Sequence, residues 1–237
     1  MITIVEIIHE ARQGTTRPYL CRADDGHDYW VKRVNAGRKA LIAEWLAGRL
    51  GQMLGLPVPA FTQAEVPKAL LRLLPPEQRL EWGDEPLFAS RVVPNAVEIR
   101  FTDLAQVPLP QQAEILLFDT WIGNSDRTLG PLGGNPNLLW CDHGRSLHMI
   151  DHNLAFESSP AEVRADHVFA EANREWDVVF FSGWAQRMAG TLDHLGSLWD
   201  ELPEPWVDEC AGRISLEQVH NRLQLITDLR NPAWTCS

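Results

Sequence analysis

The sequence predicts an α+β fold with strands and helices segregated along the chain. Three observations carry this. Residues 1–93 hold β-branched and aromatic runs separated by turn residues, with one long helical pattern among them. After residue 158 the apolar residues recur at helical spacing. Between the two lies a short hairpin around residues 138–150. Strands first and helices later pack as α+β, not as an alternating α/β sheet.

The totals set the frame. A chain of 237 residues has room for one domain of two lobes or for two small domains. Its content, 45% apolar and 22% charged, excludes wholesale disorder. No apolar run reaches membrane-span length, and MITIVEIIHEA has neither a basic flank nor a cleavage site, so neither membrane nor export is expected. The net charge of −11 argues against direct nucleic-acid binding. Cys21, Cys141, Cys210 and Cys236 are scattered, which fits free thiols in a cytoplasmic protein.

Taken in order, ITIVEII suits a strand, and Arg12 to Pro18 (RQGTTRP) a loop. A short strand at 19–22, a turn at Asp24, Asp25 and Gly26, and a strand at 29–34 follow; the last carries Lys32. Residues 38–54 read as an amphipathic helix with Leu41, Ile42, Trp45, Leu46, Leu50, Met53 and Leu54 on one face, Glu44 within it, and Gly55 ending it. Then come a strand at 58–66, a strand or helical turn at 70–74, a polar proline-bounded surface loop at 75–86, and a buried-type strand at 87–93.

Residues 101–110 are linker-like. Residues 111–123 form a helix buried through Ile115, Leu116, Phe118 and Ile122, with Asp119 as a surface or capping acid. Further helices are expected at 161–172, 176–189, 192–199, 206–214 and 216–229. In the last, Ser215 and Gln218 form a capping box, the stripe runs through Ile226 to Leu229, and Asn231 with Pro232 ends it. The ten tryptophans read as core and packing residues.

The chemistry concentrates in residues 118–156. Strands at 138–141 and 147–150, joined by Asp142 to Ser146, pair as a hairpin. Antiparallel pairing then sets Asn135 and Asn137 beside Asp151, and Asp126 enters the same corner from the helix end. Two carboxylates and a carboxamide suit a hard cation such as Mg2+. Phosphoryl transfer uses such a set: one Asp orients the attacking hydroxyl, and an Asn with a second Asp holds the metal on nucleotide phosphates.

The pieces WIGNSDR, NPNLLW and IDHNLAF, in that order, resemble the HipA-like kinases, a divergent branch of the protein-kinase-like fold. The run KALIAEWLAGRLGQMLGLPVP resembles the same family. The resemblance covers nearly the whole chain and implies a two-lobed protein-kinase-like fold. A small antiparallel-sheet lobe with one helix (1–93) would bind ATP, and a mainly helical catalytic lobe (94–237) would follow. It implies Asp126 as the catalytic residue, and Asp151 with Asn135, or alternatively Asn137, as Mg2+ ligands. It implies Lys32, held by Glu44, on the ATP phosphates; Gly14, Thr15 and Thr16 in a loop covering them; and the backbone of Ser90 to Val92 at the adenine edge. Kinase loops place the Asn five residues after the Asp. Here Pro131 stands there and the first Asn is nine residues on, so LGPLGG reads as a flexible loop insertion. The implied activity is Ser/Thr protein phosphorylation, often by the toxin of a toxin–antitoxin pair, with a protein substrate and an antitoxin or separately encoded partner. Phosphate added to Thr15 or Thr16 would repel ATP.

Three other readings share these residues. A small-molecule phosphotransferase would use the same triad, and a nucleotide-binding pseudokinase would keep it without turnover. A metal hydrolase would use His143, His148, Asp151 and His152. Against it, an extended 147–152 puts His148 and His152 on one face and Asp151 on the other.

Overall fold

Branched and aromatic residues in the first ninety positions build strands, as their crowded Cβ atoms favour. In the computed structural model, which describes residues 1–11, 16–210 and 213–227, the chain order is as follows. The first part holds β1 (Ile2–Glu10), β2 (Tyr19–Ala23), β3 (Asp28–Lys32), α1 (Arg38–Met53), β4 (Phe61–Glu65), α2 (Lys68–Leu71), α3 (Pro76–Trp82) and β5 (Leu87–Arg91). The middle holds β6 (Val97–Glu98), α4 (Leu109–Ile122), β7 (Thr128–Gly130), β8 (Gly133–Asn135), β9 (Leu138–Cys141) and β10 (Ser146–Met149). The rest is α5 (Pro160–Asp166), α6 (Val178–Leu192), α7 (Leu195–Asp200), α8 (Glu204–Glu209) and α9 (Leu216–Thr227). The chain divides into two compact units.

The first unit comprises Met1–Leu41, Pro59–Pro94 and Pro203–Cys210. Its strands form a closed barrel in the order β1-β2-β3-β5-β4. This corrects the expected antiparallel sheet: β1 closes on β4 in parallel, through Ile2↔Ala64 and Thr3↔Glu65. The closure is possible because small residues, Cys21, Ala23, Ala64 and Ala89, fill much of the interior alongside Ile4, Val31 and Leu87. Residues 75–86 are not a surface loop either. Pro76 occupies the first turn of α3, where a missing N–H costs nothing, and Trp82 at its end is 1% exposed and 5.1 Å from the Tyr19 ring. Of residues 70–74, Leu70 and Leu71 end the short helix α2 and the rest turns, with no strand. Arg33 is 1% exposed, stacks 4.5 Å over Tyr19, and bonds both ends of the β1–β2 connection, Glu10 at 3.2 Å and the Arg17 carbonyl at 3.4 Å. From far along the chain, α8 docks Trp206 by an indole N–H to the Pro86 carbonyl at 2.8 Å.

The second unit comprises Ile42–Val58, Asn95–Leu202 and the described residues from 213 on. Its centre is α4, buried almost all round from Ile115 to Ile122 and packed against α5, the 3-10 turn at Ala170–Glu175, and α9. The apolar face of α1 is buried, except Met53, which is 42% exposed. The hairpin β9–β10 forms with Leu147↔Trp140 and Met149↔Leu138 in register, and β6 adds a third strand. The expected single helix at 161–172 is broken. It stops at Asp166, His167 turns extended, and a 3-10 turn follows, which puts the His167 side chain in the core at 5% exposure. Residues 101–106, expected as linker, form a 3-10 turn pinned by Arg100 to Asp103 at 2.7 Å. At α9, Ser215 Oγ accepts from the Gln218 N–H at 3.2 Å. The side chain of Ile226, together with Leu229, Asn231 and Pro232, lies outside what is described. Among the described residues no helix is long and apolar enough to cross a membrane.

Candidate active site

The site begins where α4 stops. Gly123 takes a left-handed φ of +68°, and the Asn124 N–H returns to the Asp119 carbonyl at 2.9 Å. A Cβ at Gly123 would stand 2.6 Å from the Ser158 carbonyl, so the turn also needs glycine for space. The chain then presents Asp126 and, next to it, Arg127.

Arg127 is fully buried and organises the corner. Its Nε donates to Asp119 Oδ2 at 2.6 Å. Its Nη1 donates to the carbonyl of Asn137, and to those of Pro136 and Ile150 at 3.4 Å each. One guanidinium thus ties together the residue after Asp126, the backbone of Asn137 and the residue before Asp151. Asp119 is no surface acid, contrary to the expectation: it has no exposure. Burial pushes its carboxyl up, but Arg127 and the bond from His167 outweigh that and hold it well below the usual carboxylate range. His167 Nε2 donates to Asp119 at 3.0 Å while its Nδ1 accepts the Phe169 N–H at 3.0 Å, which fixes the neutral imidazole. Burial lowers its pKa.

The insertion between Asp126 and Asn135 is a β-hairpin, not a flexible loop. Around the two-residue turn at Pro131 and Leu132, Gly130 pairs with Gly133, Leu129 with Gly134, and Thr128 with Asn135. Gly134 is required: a Cβ there would lie 2.5 Å from the Thr128 carbonyl. The hairpin cancels the extra length. It returns Asn135 level with Thr128, where Asn135 Nδ2 donates to Asp126 Oδ2 at 2.8 Å. Asn137, 6% exposed with φ +48°, donates from Nδ2 to the same oxygen at 3.1 Å. A carboxylate only accepts, so each amide turns its nitrogen to Asp126 and its Oδ1, the atom that could ligate a metal, the other way.

Asp151 follows β10, which ends at Met149. The Ile150 N–H bonds the Asn137 carbonyl at 3.0 Å, and Asp151 itself takes a left-handed φ of +56°. Residues 147–152 are therefore not one extended run, as the face assignment had assumed. Beyond Asp151, the His152 N–H donates to Glu44 Oε2 at 3.0 Å, with Glu44 5% exposed on α1. The segment then returns to the end of α4: Phe156 N–H to the Ile122 carbonyl at 2.6 Å, and Ser158 N–H to that of Gly123 at 3.1 Å. His152 is 1% exposed and edge-on to Phe118 at 6.2 Å, which makes it a core residue. His148 remains on β10, half-buried, its pKa lowered by burial. Among the described residues no three His, Cys, Asp or Glu side chains gather as metal ligands.

The barrel unit carries the other named residues. Lys32 ends β3, 8% exposed and opposite Phe88. Ser90 lies opposite Trp30 and Phe61 on β5. The Val92 N–H is bonded to the Asp28 carbonyl at 2.9 Å, which leaves Val92 its carbonyl. Thr16 is half-buried; Gly14 and Thr15 lie outside the described residues.

In the sequence alone Arg127 and His167 have no assigned role, and their pairing with Asp119 is not found. The available signal was Asp119 itself, an acid on a helix with no polar face, which must be buried and so must be paired.

No curated protein sequence matches this chain. Its fold is similar to the crystal structure of the Helicobacter pylori proinflammatory kinase CtkA, with a TM-score of 0.51 at 11% identity, covering 94% of this chain and 92% of that one. The family model described as HipA-like kinase matches residues 4–231, and the segments that carry Asp126, Asn135 and Asp151 fall within that span, so the chain belongs to the HipA-like kinase family.

Proposed function

We propose that the protein is an ATP- and Mg2+-dependent phosphotransferase acting on Ser or Thr hydroxyls of a protein substrate. The observation that carries this reading is the Asp126 carboxylate, held by two carboxamides and set beside a buried arginine that also fixes the approach to Asp151. The donor set fits the metal: one or two carboxylates with neutral oxygens beside them suit Mg2+, which keeps several waters and phosphate oxygens as its other ligands. Asp151, with Asn135 or Asn137, would hold it, and when bound it neutralises charge on the phosphates.

Asp126 orients the acceptor hydroxyl and takes its proton as the oxygen attacks the γ-phosphorus. The bond from that phosphorus to the β–γ bridging oxygen breaks, and ADP leaves with its electron pair. By the family resemblance Lys32 would pair with the phosphates, Thr16 would lie over them, and the backbone near Val92, whose N–H is held by Asp28, would meet the adenine through its carbonyl. Glu44 has a further part, since it anchors the His152 N–H directly after Asp151. Folding of the inserted hairpin back onto Asp126 favours an active enzyme over a pseudokinase. The proposal extends to a separately encoded partner of antitoxin type and a cytoplasmic location. Incubation with labelled Mg-ATP and a mixed protein substrate tests it. Phosphoserine or phosphothreonine is expected with wild type and lost with Asp126→Asn, and equal labelling by both would refute the assignment.

A further inference from the structure

The hairpin β7–β8 has an open edge beside Asp126. On one side, β7 is met by His167 through a bridge at Thr128, and on the other by β8. Among the described residues β7 is the one strand paired with β8, so the outer edge of β8 faces no strand. Gly134 pairs with Leu129 of β7, and among the described residues no strand lies on its other side. Gly133 and Gly134 are exposed and have no side chains to obstruct an approaching backbone. The turn holds Leu132 fully exposed, a large apolar side chain kept in water on an ordered ribbon. At the other end, β8 runs into Asn135, whose amide holds Asp126 at 2.8 Å.

We infer that the acceptor is an extended polypeptide that adds as a strand to the open edge of β8, with an apolar residue against Leu132 and its hydroxyl at Asp126. The inference rests on the phosphotransferase reading. Continuity chooses the occupant: a strand on β8 passes Leu132 and arrives at the carboxylate. Leu132 is three positions before Asn135, so the contact lies about 10 Å along the ribbon from Asn135, or about three residues from the accepting hydroxyl. Main-chain bonds supply affinity in this mode and the flanking side chain supplies selectivity. The ribbon TLGPLGGN has no charge, so selection is apolar. A small-molecule acceptor would have no use for a strand edge.

The test uses the full chain, Mg-ATP and a peptide library with Ser or Thr fixed at the centre and each flanking position varied. Wild type should select Leu, Ile, Val or Phe about three positions from the acceptor. Leu132→Asp should lower kcat/KM for the selected peptide about tenfold or more, with Mg-ATP affinity unchanged, because an apolar contact becomes a charge. N-methylation of the peptide amide facing Gly134 should cost as much. Equal selection by both proteins, or an N-methylated peptide as good as its parent, overturns the inference. So does a dimer that Leu132→Asp converts to monomer without altering selection, which would give the edge to a second copy. Wild type that transfers phosphate to peptides without flanking preference overturns the docking and leaves the phosphotransferase reading standing; wild type that binds no Mg-ATP overturns both.

Discussion

Arg127 Nε lies 2.6 Å from Asp119 Oδ2, and neither side chain has any exposure to solvent. Removing one member strands the other as an uncompensated buried charge, which costs about 3–5 kcal/mol. Arg127→Met and Asp119→Leu should each lower unfolding free energy by about that amount, measured by urea titration. The double change, apolar on both sides, should recover a large part of the loss in stability. It should not recover phosphate transfer, because the carbonyls of Asn137 and Ile150 would still lack the guanidinium. Full recovery of transfer would show that Arg127 does not position the site.

The two asparagines separate by stability. Asn135 is exposed, whereas Asn137 is 6% exposed with φ +48°. Asn135→Ala should leave stability within about 0.5 kcal/mol. Asn137→Ala loses a buried hydrogen bond at a position where alanine is strained, and should cost about 1–3 kcal/mol. With Asn135 as the metal ligand, the Mg2+ concentration for half-maximal transfer should rise in Asn135→Ala. An unchanged Mg2+ requirement there, with a raised one in Asn137→Gly, would move the role to Asn137.

Much of this site was legible, and the illegible parts have physical causes. The hairpin β9–β10 could be read because Leu138 and Trp140, and Leu147 and Met149, alternate with half-buried neighbours around a Gly-containing connection. The helix α1 could be read from its apolar stripe. The hairpin β7–β8 could not: its residues have little strand propensity, and it exists because a two-residue turn fits and Gly134 permits close approach. Barrel closure involves two residue pairs between strands far apart in sequence, which no local pattern reports. In α3, proline density read as loop, although proline in the first turn begins a helix. Single buried polar residues such as Asp119 leave no periodic trace.

Gly134→Ala tests the hairpin. The added methyl meets the Thr128 carbonyl at 2.5 Å, whereas at Gly130 the nearest atom is at 4.0 Å. Gly134→Ala should therefore open the ribbon, release Asn135 from Asp126 and lower phosphate transfer. Gly130→Ala should have a smaller effect. Hydrogen exchange at Asn135, faster in the first variant and unchanged in the second, would accompany the activity measurement. Equal transfer rates for the two variants would count against the hairpin's role.

Stability should fall with pH through His167. Its folded pKa is lowered by burial, so the unfolded chain binds its proton first as pH drops. The neutral imidazole's contribution is complete above about pH 6.5 and is lost below it, at up to about 1.4 kcal/mol per pH unit. Asp119, also depressed, keeps its contribution through that window and loses it only at strongly acid pH. Urea titrations at pH 7.5, 6.5 and 5.5 should show the decline in wild type and a shallower one in His167→Gln, which retains a donor toward Asp119. Parallel declines would remove His167 from the account.

The central claim divides labour between two carboxylates: Asp126 acts on the acceptor and Asp151 on the metal. Nucleotide affinity, titrated with and without Mg2+ in wild type, Asp126→Asn and Asp151→Asn alongside phosphate transfer, tests it most directly. Asp126→Asn should bind Mg-ATP like wild type and lose about 10²–10⁴-fold in transfer. Asp151→Asn should lose transfer together with the Mg2+ enhancement of ATP binding, by more than the ~10–100-fold that a supporting residue costs. Identical Mg2+ enhancement in all three proteins, or transfer undiminished in Asp126→Asn, would contradict the account.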